Sequence, residues 1–463
     1  MKAALFGLCR TASLFLVVAG CSTYPVQMED FKADASSSDM PSEYDVYSKK
    51  GGNKLLALQE SGRYDQIRGR YRESADAYAE AISFCDKQED AALVRGETVL
   101  DSTLAVMYGN DLALDYPMLG FERMMLHVLD GFNRLALGDV DGFGVDMRHL
   151  ERCRGTIQTI HKRNMEALKK SGKLTDQSSL YSESYKAFMA KIDKLTKGLK
   201  HSTDNIYALY LMALYREARG DYREALAHYQ EIERIAPGIK AVSIGMNMCK
   251  GAKWQKGYGE VVVFFEEGFV PPKRTIHTKL DSLFITLPNY AEADCLPYED
   301  GGPLLLLDGG RYCAVTTPFC DLAPLAVKAH EERLEGIIAR KYLTSGMTSG
   351  MIYVNNYVFN GVYHSNPIIE CANLCCGFVT ALMADAMSLA SERPDLRSWL
   401  LLPRQVQIAR FALPGGRHEL TLRSSGKSQN LSVDVKPGTK TIVYCTSAAG
   451  AMKCFAANVQ TVK

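Results

Sequence analysis

Apolar residues recur with helical spacing from about residue 51 to 250 and with strand spacing after it. In the first stretch the pattern comes in copies. Gly69 is followed by Tyr71, Ser74, Tyr78 and Ala81, and Gly220 by Tyr222, Ala225, Tyr229 and, further on, Pro237. Each copy has a turn glycine, an aromatic residue, a small residue and a second aromatic at matching offsets. Glycine accepts the left-handed conformation that ends a helix. The small residue lets the next helix approach closely, and the aromatics fill the gap. These offsets predict the helix–turn–helix unit of a tetratricopeptide repeat. The best copy runs from Asn205 to Gly238, although Arg216 stands where the repeat has an aromatic. A weaker copy holds Gly138, Phe143 and Met147. Helical inserts separate the copies, such as Tyr181 to Leu199, where Tyr185, Phe188, Ile192 and Leu195 share one face.

Near Lys256 the period changes. Gly259 to Phe265 reads as a buried strand, ended by Glu266-Glu267-Gly268. Leu283 to Leu287 and Tyr312 to Val315 read as further strands. Pro324 to Lys341 reads as an amphipathic helix and Ile368 to Ala390 as a buried one. The tail returns to strands at Val406 to Phe411, His418 to Leu422, Leu431 to Val435, Thr441 to Cys445 and Met452 to Ala456. The expected fold is α+β: a helical tetratricopeptide-like region over 51–250, then an α+β domain over 257–463 with a β-rich end. If Ala449 and Gly450 form a two-residue turn, Cys445 falls opposite Cys454, close enough for a disulfide. A slip of one residue would put the thiols on opposite faces.

The N-terminus sets location. Lys2 and Arg10 precede an apolar run from Thr11 to Ala19, then Gly20 and Cys21. That order predicts a bacterial secretory signal ending in a lipobox. Residues 1–20 are expected to be removed and Cys21 to carry lipid. Ser22 after the lipidated residue favours the outer membrane, facing the periplasm. Residues 21–50, rich in Ser, Asp and Lys, form a tether with too few apolar residues for a core. No later run spans a bilayer cleanly; Cys371 to Ala390 contains Asn373 and Asp385. Cleavage changes the formal charge from +1 to 52 basic against 53 acidic residues. Without clustered Lys or Arg, nucleic acid is excluded as a partner. Of 13 cysteines, Cys9 leaves with the signal and Cys21 takes lipid, so an odd number remains.

Several stretches together resemble a family of bacterial lipoproteins of unassigned function. They are Gly259 to Gly268, Leu334 to Arg340, Asp395 to Pro403, Gln407 to Arg410 and Leu413 to Gly416. The family has tetratricopeptide-like helices before a C-terminal β-containing domain. Its members are often encoded near lipoprotein activators of penicillin-binding proteins, so the resemblance implies an envelope context. The shared residues are structural in type, with Arg340, Arg397 and Arg410 the polar exceptions. Between Tyr342 and Cys376 the sequence departs from the family's pattern.

Complete catalytic motifs are lacking. His330-Glu331 begins a zincin helix, but Leu334 replaces the second His. Gly346 to Gly350 puts Thr348 where a nucleophile elbow has Ser. Gly426-Lys427-Ser428 has Thr421 where a phosphate loop needs Gly, and Gly142-Phe143-Gly144 stops short of a dinucleotide fingerprint. Cys371, Cys375 and Cys376 with His364 are candidate metal ligands, but the cysteines read rather as small hydrophobes packed in a buried helix, so no metal and no cofactor are expected. Arg397 beside Trp399 is either a ligand contact or a partner for Asp395. The function expected is a membrane-tethered, non-catalytic adaptor with a protein or peptide partner on the repeat surface. The alternative is an envelope enzyme of the cell-wall hydrolase type, using the C-terminal domain.

Overall fold

A computed structural model describes residues 54–95, 116, 119–170, 183–280, 283–290, 295, 301–334, 336–338, 394–448 and 451–459. Cys21, the signal and tether, the 368–390 helix and the His364–Cys376 cluster lie outside them. The helices are α1 (Lys54–Ile67), α2 (Tyr71–Arg95), α3 (Gly120–Ala136), α4 (Val140–Lys170), α5 (Glu183–Leu195), α6 (Ile206–Ala218), α7 (Tyr222–Ile235) and α8 (Lys240–Cys249). A later helix, α9, covers 323–334.

The three turn glycines behave alike. Gly69, Gly138 and Gly220 have φ of 80°, 78° and 82°. At each, the next residue's N–H reaches back to a carbonyl in the last helical turn: Arg70 to Asp65, Asp139 to Arg134 and Asp221 to Arg216. This six-residue closure satisfies carbonyls that the helix end would otherwise leave bare. The pairs α1/α2, α3/α4 and α6/α7 are therefore hairpins built on one plan. The residues at the small and aromatic offsets, Ser74, Tyr78, Ala225 and Tyr229, are fully buried.

The strands form three sheets. β1 (Tyr258–Phe269), β6 (Thr317–Asp321), β7 (Pro403–Pro414), β10 (Lys440–Ala448) and β11 (Ala451–Val459) make a five-stranded sheet ordered β11-β10-β1-β7-β6. Within it β1 and β10 run parallel and the other neighbours antiparallel. β4 (Leu305–Asp308), β5 (Arg311–Val315), β8 (Gly416–Ser424) and β9 (Lys427–Val435) form a four-stranded sheet. β2 (Lys273–Leu280) and β3 (Leu283–Tyr290) form a separate hairpin.

Side chains alternate across β1, as strand geometry requires. Val262 and Phe264 enter a core shared with the helices, alongside Phe132, Tyr207, Tyr210, Ile442 and Tyr444. Val261, Val263 and Phe265 enter a second core against Leu306, Leu420, Leu422 and Val433 of the four-stranded sheet. The molecule is thus mixed α+β, with helices, a five-stranded sheet and a four-stranded sheet in layers. The first core draws residues from both sides of the boundary drawn from sequence between 250 and 257. Local periodicity records where the pattern changes, not which faces later meet.

Glu266 and Glu267 do not end β1; the strand runs on to Phe269, with Gly268 at φ 62°. A buried carboxylate is costly unless paired and hydrogen-bonded. Glu266 is paired by Arg63 of α1 at 2.6 Å and accepts bonds from Tyr207 and Tyr444 at 2.9 and 2.6 Å. Glu60 of α1 accepts the N–H groups of Leu400 and Leu401 at 2.6 and 3.1 Å. Glu122 of α3 accepts that of Trp399 at 3.1 Å. These two carboxylates clamp an extended segment, 399–402, whose side chains are wholly buried.

Candidate functional site

The turn from α6 to α7 leads to a cavity of about 540 Å³ between α6, α7, α8 and the ends of β1 and β10. Tyr222, at the second offset of the best repeat copy, lines it and remains 50% exposed. The loop after α8 supplies Trp254, Lys253 and Lys256, and Tyr258 begins β1. Lys253 and Lys256 are exposed at the rim. The indole Nε1 of Trp254 is buried and has no hydrogen-bond partner among the described residues.

The floor is a buried ionic network built from five elements. Arg410 of β7 donates from Nε to Glu260 of β1 at 2.6 Å and from Nη2 to both oxygens of Glu217 of α6 at 2.7 and 2.9 Å. Its Nη1 donates to Tyr229 of α7 at 2.9 Å, and Tyr229 in turn donates to Glu217 at 2.8 Å. Lys440 of β10 donates to Glu217 at 2.6 Å and to Glu260. Two cations therefore face two carboxylates. Burial opposes the charge on Glu260, but Arg410 and Lys440 overcome it and hold the carboxyl down to about 2. Burial likewise opposes the Arg410 charge, and Tyr210, Tyr229, Glu260 and Glu217 hold it well above the ordinary arginine value. Burial pushes the Cys249 thiol up to about 11. Helix α8 can lie on this network only because Gly245 lacks a Cβ. One there would stand 2.4 Å from the Tyr229 ring and 2.7 Å from Arg410.

The residues that the sequence pattern singled out as repeat packing divide by role. Gly220 makes the turn, Tyr222 faces the cavity, Ala225 lies buried where the helices meet, and Tyr229 joins the ionic floor. Pro237 is exposed after α7. Sequence reasoning missed Glu217, Glu260 and Lys440, and met Arg410 only through the resemblance. The available signal was a charged residue in an otherwise apolar run: Glu217 near the end of α6 and Glu260 opening the valines of β1.

Arg397 and Trp399 lie elsewhere, in the clamped segment. The Arg397 guanidinium meets Asp395 twice, at 2.8 and 2.9 Å, and stands over the Tyr116 ring at 5.7 Å. It is therefore paired with Asp395. Trp399 packs edge-on against Tyr78 at 5.8 Å and is fully buried. Beside them Lys273 donates to the Arg397 carbonyl at 2.8 Å, and burial lowers its amine to about 8. Cys445 and Cys454 stand opposite each other in the β10–β11 ladder, with Ala448 facing Ala451, as the two-residue turn predicts. Both are free thiols in this structure.

No protein-family model matches the chain, and comparison with curated proteins and with solved structures likewise gives no match.

Proposed function

We propose that the chain is a lipid-anchored envelope protein acting as a non-catalytic adaptor, and that the cavity beside the α6–α7 turn takes a peptide segment of its partner. The observation that carries this reading is the pairing of an ion-balanced floor with an open, donor-bearing wall. The floor's charges are spent on one another, so they hold shape rather than exchange protons. The wall offers the Tyr222, Trp254 and Tyr258 side chains, with Lys253 and Lys256 at the rim. Aromatic walls with a few convergent polar groups suit binding. The basic rim favours a segment that carries a carboxylate. The anchor rests on the lipobox around Cys21, and a tether of this kind raises the local concentration of the bound partner.

The alternative, an envelope enzyme of the cell-wall hydrolase type, draws on Lys273 and the neighbouring His330. Both are almost wholly buried. Burial, with Lys273 and Arg333 nearby, pushes the His330 imidazole down to about 3. Such groups are poorly placed to meet a polymer, so binding is the stronger reading.

Photo-crosslinking in the cell tests it. A photoreactive residue at position 222 is expected to capture a defined partner peptide, and one at exposed Tyr312 of β5 is not. Trp254→Ala should abolish the capture. Equal labelling from both positions, or labelling that survives Trp254→Ala, would refute the cavity as the docking site.

A further inference from the structure

A second constellation lies on another side of the helical layer. His161 comes from α4, His201 from the connection between α5 and α6, and Glu332 from α9. One ligand atom from each lies within 4.8 Å of the others, and all three residues are half-buried. His201 Nδ1 stands 3.6 Å from Glu332 Oε1, and the two imidazole rings meet edge to face with centroids 6.2 Å apart. Two of the three are held in place by other groups. Glu332 accepts the Ser202 N–H at 2.9 Å and the Ser202 hydroxyl at 2.5 Å. The His201 backbone is pinned from both sides: its N–H donates to the Asp204 carboxylate at 3.2 Å and its carbonyl accepts the Asp204 N–H at 3.0 Å.

We propose that His161, His201 and Glu332 bind a first-row divalent cation of the zinc type, with a fourth, solvent-facing position left to water. Two imidazoles and one carboxylate match the borderline-soft ions. Calcium and magnesium ask for all-oxygen shells. A tetrahedral ion with ligands at about 2.0–2.2 Å spaces their atoms roughly 3.3 Å apart. The His201–Glu332 separation is already near that value, and small side-chain rotations close the rest. The Ser202 bonds play the orienting part that outer-shell donors play at metal sites. The ion would also tie α9, which lies between β6 and β7 in the chain, to two parts of the helical layer far away in sequence. The sequence hid the set because no short motif contains two of its members.

The full chain, stripped with a chelator and reloaded with Zn²⁺, tests the proposal by elemental analysis and calorimetry. One equivalent is expected, together with a rise in thermal midpoint. His161→Ala, His201→Ala and Glu332→Gln should each weaken binding at least tenfold and remove the rise. Ser202→Ala, which keeps all three ligands, should weaken it less. Should a histidine variant fail to fold, the near-isosteric Glu332→Gln still decides. Co²⁺ loading separates this site from the chain's cysteines. Ligand-field bands without thiolate charge transfer are expected. No stoichiometric binding, binding unchanged in the ligand variants, or a thiolate charge-transfer band would each overturn the proposal.

Discussion

At the scale of single residues, this protein places unusual weight on charges buried between layers. Arg63 is the clearest case: it joins α1 to Glu266 of β1, to Gln66 and to Tyr444 of β10. Removing one member of a buried pair strands the other. Arg63→Met is expected to cost about 3–5 kcal/mol in chemical denaturation. Adding Glu266→Gln should recover part of that loss, because the two changes are coupled. Additive losses would show that the pair does not act as a unit. A second residue-scale device is Asp130 of α3 beside Asp146 of α4. Burial and the charge of Asp146 push Asp130 up to about 7, and burial pushes Asp146 up to about 7. His127 bonds Asp146 at 2.9 Å, and burial with Arg123 keeps that imidazole well below its ordinary range, hence neutral. Arg134, flanked by Asp139, stands 3.4 Å from Asp130. Both carboxyl pKa values lie above the unfolded value, so the folded state holds extra protons between about pH 4 and pH 7. This contribution to stability is greatest at the acid end, falls as pH rises through about 7, and is flat beyond. Relative to the parent, Asp130→Asn should therefore gain stability as pH rises from about 4 to about 7 in urea melts. A difference that stays constant with pH would refute the assignment.

At the scale of elements, the hairpin of β10 and β11 shows how far local rules reach. A two-residue connection and the period of two place Cys445 opposite Cys454. Both thiols adjoin the core between the two larger sheets. Facing residues in an antiparallel ladder bring Cα atoms to roughly 4.5–5.5 Å, within disulfide reach. An exported protein meets oxidising conditions. If the chain is exported as proposed, the pair is expected to be bridged. Peptide mapping without reduction should find Cys445 and Cys454 in one linked species. Alkylation of both before reduction would rule the bridge out.

At the scale of the whole molecule, helices and sheet share one core, so the helical region lacks a free inner face of its own. Phe132 of α3 stacks on Tyr444 of β10 at 4.3 Å, and Tyr210 of α6 meets Phe264 of β1 at 5.9 Å. In the proposed adaptor reading, the partner would meet the periphery of the hairpins, where Tyr222 lies exposed. The N-terminus carries the remaining whole-molecule prediction. Cys21→Ser should abolish fatty-acid labelling and prevent processing by the lipoprotein signal peptidase. Unchanged labelling would overturn the lipid anchor.

The sequence by itself determined the parts of this protein that depend on neighbours along the chain. The glycine turns at 69, 138 and 220, the strands of the tail and the register of the last hairpin all follow from side-chain period and turn chemistry. The α+β class follows from the same pattern. Only the tertiary structure decided that Glu266 continues a strand and that Glu217 and Glu260 share Arg410 and Lys440. Each of these depends on a partner hundreds of positions away or on another layer. A charged residue in an apolar run signals only that some compensation exists. Where it comes from is set when the faces of distant elements meet, because burying a charge is tolerable only against the group that neutralises it.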